Sequence, residues 1–332
     1  MNNSLSIDSI SLRIDTIKSR LIASWSIIYL VFGSFGTFLN VIVFTRRTRW
    51  SSSPCIPYLL ASSLSAIPVM YATILSRIGI GFQIIPFYYS SILCKLLVYI
   101  SNVSLSLIIW FTIGSCWDRY LSSSRNALIR QMNSIRNTRQ TILIIIFCVL
   151  LAYAQILYCY EANIFLAVAP CAAKTAACTI VDSTFLFVVQ YVTPPLVISY
   201  FGICIFLNVR QSQHQTLIQN INNTQTVQTR NNQRAERIVL RMVIIQVITL
   251  LMCSFPTLIF RVYITITTTT AKSSLRRSVE NLSLNITFMI YYVDKVCSFY
   301  VYTMTSGHFR KTLWQFINRI YSGNTVLPET QQ

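Results

Sequence analysis

The sequence predicts an all-α membrane protein: a seven-transmembrane helix bundle with a short amphipathic membrane-surface helix after the seventh span. Three observations carry this. The 332 residues are 54% hydrophobic and only 11% charged, against about 25% charged in a soluble domain. The mean hydropathy is +0.55, so apolar residues exceed what one globular core buries and the surplus must face lipid. Charge-free stretches of bilayer length recur along the chain, and a charge at the bilayer centre costs roughly 2.5 to 3.5 kcal/mol on insertion scales.

The same composition excludes other classes. A net charge of +18 would suit a nucleic-acid binder only if the basic residues shared a soluble face; here they lie between apolar runs, so no nucleic-acid partner is expected. Ten cysteines and two histidines form no CxxC pair or Cys/His metal spacing. No His/Glu or Ser/Lys constellation stands out either. No metal, no cofactor and no enzymatic activity are expected.

The uncharged stretches 21–45, 50–76, 96–117, 140–160, 183–209 and 242–260 give six spans, and 281–309, interrupted only by Asp294-Lys295, gives the seventh. The stretch 78–94, broken by Gly79, Gly81 and Pro86, reads as a loop. Alternate connecting segments carry 16 and 10 basic residues, which puts the richer set in the cytoplasm and the N-terminus outside. Asn2-Asn3-Ser4 and Asn281-Leu282-Ser283 fall on the outer side as glycosylation acceptors. Residues 1–20 read as an extracellular tail with no cleavable signal, 21–306 as the seven-span domain, 307–320 as the amphipathic helix and 321–332 as a cytoplasmic tail. Within the domain, 211–234, rich in Gln and Asn, reads as a disordered cytoplasmic linker.

Asp118-Arg119-Tyr120 stands at the cytoplasmic end of span 3, and Cys94 stands upstream at its outer end. At about 1.5 Å per residue, their separation matches roughly one membrane thickness. Span 1 carries Gly36 and Asn40, span 6 Cys253-Ser254-Phe255-Pro256, and span 7 Ser298-Phe299-Tyr300-Val301-Tyr302 followed by Phe309. Together these resemble rhodopsin-like G-protein-coupled receptors across the whole spanning region. The departures are Ala66 where the family has an acid, Ser254 for tryptophan, and Ser298 and Phe299 for Asn-Pro. The serine-rich span 2, Pro194-Pro195 and the FYVY ending resemble divergent invertebrate orphan receptors near the FMRFamide-like neuropeptide group.

The resemblance implies a plasma-membrane receptor that binds an extracellular ligand, a peptide, and activates a heterotrimeric G protein. It implies a switch in which Glu236, at the inner end of span 6 and well before Pro256, accepts from Arg119, with Asp118, Tyr120 and Tyr302 at the same inner end. Asn40, Pro256, Asp294 and Ser298 would form the helix network and hinge. Cys94 then needs an outer partner, for which the second outer loop offers Cys171 and Cys178. Cys171 lies farther from Pro195 than Cys178 does, and that longer reach, suited to a loop crossing the bundle mouth, favours it. Amine ligands would require an aspartate at Ser101 and retinal a lysine at Tyr292, so neither fits. The ligand residues implied by alignment are Ser101, Asn102, Arg261, Phe288, Tyr291 and Tyr292.

Asp294 and Lys295 are intramembrane charges, functional candidates by default. As neighbours on a helix they point about 100° apart and are not expected to pair face to face. Asp294 either substitutes for the acid missing at Ala66 or neutralises Lys295 through a water. The same two charges support a competing reading, a multi-pass transporter or channel in which they line a pathway.

Overall fold

The computed structural model describes residues 2–50, 54–82, 90–124, 126–162, 171–219, 227–267, 273–305, 309–310, 313–316 and 318. Within these, the side chains of 2–8, 47–50, 172, 176, 206, 209–219, 227–242 and 265 lie outside the description. The elements are α1 (Asn2–Trp50), α2 (Cys55–Pro68), α3 (Leu75–Gly81), α4 (Ser91–Ser123), α5 (Ala127–Gln131), α6 (Ile135–Tyr153), α7 (Gln155–Cys159), the strands β1 (Tyr160–Ala162) and β2 (Cys171–Ala173), then α8 (Ala176–Leu186), α9 (Thr193–Gln219), α10 (Val227–Ile266) and α11 (Ser274–Thr305). Wide π-helical turns join α2 to α3 over Val69–Ile74 and α8 to α9 over Phe187–Val192. Each adjoins proline, Pro68 in one case and Pro194-Pro195 in the other, whose missing N–H breaks the regular ladder.

Six helical stretches are long and apolar enough to cross a membrane: Ser9–Arg46, Cys55–Gly81, Ser91–Ser123, Ile135–Cys159, Ala177–Ile205 and Val243–Ile264. The seventh expected span coincides with α11, 32 residues long but less apolar than the six because Asp294 and Lys295 interrupt it. Large apolar side chains point outward along these helices, among them Phe35 and Phe38 on α1, Ile144 and Phe147 on α6 and Met252 and Phe255 on α10, all more than half exposed. A soluble monomer rarely shows such a continuous apolar exterior. The architecture is that of an all-helical, membrane-embedded protein, in which each helix satisfies its own backbone where water is absent.

α4 lies at the centre, packed on α2, α6, α9 and α10, while α11 fits between α1 and α10. The middle of the core joins Met70, Ile109, Tyr191, Leu250, Tyr291 and Val296; a second cluster joins Phe44, Ile56, Val243, Phe299, Tyr302 and Phe309. Polar caps start the loop-flanking helices: Asn126 accepts from the Leu128 N–H, Ser134 from Asn137 and Thr175 from Cys178, each satisfying an otherwise orphaned donor.

Three connecting segments differ from expectation. Residues 2–20, read as a tail, continue α1 without a break. Ser9–Arg46 alone has 38 residues, roughly 57 Å at about 1.5 Å per residue, nearly twice the hydrocarbon thickness. Its outer part is held by Lys18, 2.6 Å from Asp15 one turn away, and by Ser278 Oγ of α11, which donates to Asp15 Oδ2 at 3.4 Å. The stretch read as a loop over 78–94 is helical to Gly81 and again from Ser91; 83–89 lie outside the described residues. In 211–234 the backbone is helical to Gln219 and from Val227, with 220–226 outside the described residues; glutamine is a sound helix former, so polarity there does not imply disorder. Beyond α11, residues 309–310, 313–316 and 318 are helical, and 321–332 lie outside the described residues.

Candidate functional site

Mid-bundle, side chains from four helices converge on a polar cluster. Asp294 is 1% exposed and Lys295 2%, and Lys295 Nζ stands 2.9 Å from Asp294 Oδ2. The two pair directly, contrary to the sequence expectation, because the four-carbon lysine stem bends round the helix to reach its neighbour. The ammonium also lies 4.3 Å from the centre of the Tyr291 ring, whose electron-rich face supports it. The second carboxylate oxygen of Asp294 accepts from Gln246 Nε2 of α10 at 2.7 Å. Asn40 Nδ2 of α1 donates to Ser298 Oγ at 3.2 Å, and Ser298 Oγ donates to the Lys295 carbonyl.

These groups line a cavity of about 10 Å³ shared with Ser63, Ala66 and Tyr302, on the order of one water in volume. Asp294 of α11 and Ala66 of α2 therefore face the same space. Gly36 makes the approach of α1 possible: a Cβ there would sit 2.9 Å from Phe299 Cβ. Tyr302 is buried edge-to-face against Phe44, with centroids 5.4 Å apart, and Phe309 packs on both. α10 runs helically through Pro256, and one residue on, Thr257 Oγ1 donates to the Thr287 carbonyl of α11 at 2.9 Å.

At the C-terminal end of α4, Asp118 and Arg119 are 2% and 4% exposed. Arg119 Nη2 donates to Asp118 Oδ2 at 2.7 Å, a charge-assisted pair. Tyr120 and Trp117 pack on Phe201 of α9, with centroids 5.7 and 5.4 Å away. Glu236 belongs to the backbone of α10, but its side chain lies outside the described residues, so the expected pairing with Arg119 does too.

At the N-terminal end of α4, Cys94 joins Cys171, as the sequence favoured, and a second disulfide joins Cys159 to Cys178. Cys159 ends a long apolar run, and the antiparallel pairing of β1 with β2, Tyr160 opposite Ala173, brings it towards Cys178. Tyr160 Oη donates to Asp182 Oδ2 at 2.8 Å. Burial first, then the Asp182 charge, raises the Tyr160 hydroxyl above its usual range, so it remains a donor at neutral pH.

Of the expected ligand residues, Arg261 and Phe288 meet, with the guanidinium 5.1 Å from the ring centre. Tyr292 is reached instead by Arg77 of α3, 5.1 Å from its ring and 5.2 Å from Phe288. Tyr291 turns inward under Lys295 and belongs to the mid-bundle cluster. Asn102 spends its amide on the Val98 carbonyl of its own helix at 2.9 Å, and Ser101 stands half-buried beside it on α4. Gln246, Arg77 and Asp182 escaped the sequence reading. Their one signal was polarity beside an apolar run, which headgroup anchors share. No protein-family model matches the chain, and no curated protein matches it.

Proposed function

We propose that the chain is a rhodopsin-like receptor of the plasma membrane, with α11 as its seventh span and its N-terminus outside. It binds an extracellular ligand, in our reading a peptide, between the outer ends of the helices, and shifts a helical equilibrium that activates a heterotrimeric G protein at the inner ends. The observation that carries the reading is α4 itself. One central helix is tied to β2 through Cys94 and Cys171 at one end and bears the buried Asp118–Arg119 pair at the other. A two-state element of this kind can transmit a ligand's binding free energy only if both ends lie on one rigid body, as they do here.

The test is a peptide and metabolite panel applied to cells that express the chain with a promiscuous G protein. A ligand response that Arg119→Ala abolishes at matched surface level is expected. A response unaffected by Arg119→Ala would remove the inner end of α4 from the account. The competing transport reading rests on the buried Asp294–Lys295 pair; solute flux into vesicles that is lost on Asp294→Asn would favour it.

A further inference from the structure

We infer that the part of α1 standing beyond the bilayer is a docking face for a helical partner with an apolar seam and acidic flanks. Ile10, Ile14, Ile17 and Leu21 follow one another at steps of four, three and four residues, which gathers them within roughly 60° of the helix circumference at about 100° per residue. Ile10, Ile17 and Leu21 are 45%, 52% and 40% exposed, and Ile14 is half-buried. The side that packs on the bundle is a different one: Ser11, Ile22 and Ser26 are buried there, and Asp15 meets Ser278 of α11. Leu12, exposed on yet another side, has only polar residues three and four places away. The stripe therefore belongs to one face and not to the whole segment.

Hydrocarbon does not cover this stripe. Arg13, Asp15, Lys18 and Arg20 put four charges into eight residues, and charges so dense stay outside the bilayer core. An apolar stripe with alternating steps of three and four is the seam by which one helix pairs with another, and the charges beside it choose the partner. Arg13 and Arg20 border one edge; both are exposed, and among the described residues neither meets a carboxylate. Lys18 borders the other edge, and its partner Asp15 is shared with Ser278. Two copies of the chain in one membrane run parallel, which would set Arg13 of each seam against Lys18 of the other, and like charges facing across a seam oppose pairing. A second copy is thus disfavoured, whereas a helix with Glu or Asp at its flanking positions meets basic residues along both edges. This face goes beyond the receptor reading and does not depend on it, since it requires only that α1 outlast the bilayer.

The probe is a fluorescein-labelled synthetic heptad helix with Ile and Leu along its seam and Glu at both flanks; its counterpart carries Lys at the flanks. Both are titrated by fluorescence anisotropy onto the full-length protein in phosphatidylcholine nanodiscs, with empty nanodiscs as the blank. The Glu helix is expected to bind at least about tenfold more tightly than the Lys helix, because the contacts at Arg13, Lys18 and Arg20 turn from attraction to repulsion. Ile10→Gln/Ile17→Gln, a change at two exposed positions, should abolish binding of the Glu helix and leave the melting temperature unchanged. Arg13→Glu/Arg20→Glu should turn the preference towards the Lys helix, which an unselective apolar surface would not do. Equal binding of the two helices, binding of neither, or a preference that survives the charge reversal would overturn the proposal. Dimers of the chain seen by single-molecule photobleaching, and lost in Ile10→Gln/Ile17→Gln, would assign the stripe to a second copy and overturn it as well. The readout involves no G protein, so signalling that proved independent of Arg119 would sink the receptor reading and leave this face standing.

Discussion

Neutralising one member of the Asp294–Lys295 pair should harm the protein more than neutralising both. The side chains are 1% and 0% exposed and 2.9 Å apart, so each charge has lost nearly all its water. Removing one partner of a buried pair costs about 3 to 5 kcal/mol, while replacing both with neutral groups of similar volume is close to neutral. The structure ranks the two single changes. In Asp294→Asn the ammonium keeps the Tyr291 face at 4.3 Å, which offsets about 2 kcal/mol when desolvated, placing the loss at the lower end of the range. In Lys295→Met the carboxylate keeps only the Gln246 donor at 2.7 Å and the charge remains, placing the loss at the upper end. Apparent melting temperature in detergent, with surface labelling in cells, measures all three variants in one cycle. The double variant is expected to melt above both singles. If it melts no higher than the worse single, the pair is uncoupled and the reasoning from burial fails.

Three further outcomes are expected. Mass mapping of non-reduced peptides should recover Cys94–Cys171 and Cys159–Cys178; a Cys94–Cys178 peptide would contradict the fold of the outer ribbon. Glu236→Ala should raise basal second-messenger output severalfold at matched surface level, since the coupling available is on the order of 1 to 3 kcal/mol; equal or lower output would remove the lock. Gly36→Ala should lower stability by about 1 to 3 kcal/mol, read as a loss of melting temperature, because its Cβ would meet Phe299 Cβ at 2.9 Å; an unchanged melting temperature would show that α1 can back away freely.

The spans were legible because lipid imposes a one-dimensional rule: apolar length sets the helix, and a charge ends it. Ser9–Arg46 contains the uncharged stretch 21–45, and Ile135–Cys159 covers all but the last residue of 140–160. Helix continuity beyond the membrane was not legible, since the tie between Asp15 and Ser278 spans 263 positions and has no local signature. The direct Asp294–Lys295 contact has no signature in the sequence, because the angle between neighbouring helical residues does not govern the tip of a four-carbon chain. Cys94 with Cys171 could be chosen by reach, whereas Cys159 with Cys178 depends on a strand pairing that two three-residue segments barely announce. Gln246 and Arg77 matter only for what they face across the bundle, which no single-helix pattern records.

The two crosslinks also bear on how the chain is made. Four cysteines admit three pairings, yet Cys171 lies inside the segment that Cys159 and Cys178 enclose. Of the two crosslinks, closing 19 residues is entropically easier than closing 77 by about 1.2 kcal/mol, yet Cys171 with Cys178 would close a shorter ring than either, so chain entropy alone does not select the observed pairing. The two rings interlock, so the pairing depends on β1 meeting β2 before oxidation, and oxidation of chains that have not yet formed this ribbon is expected to yield scrambled protein from a correct gene.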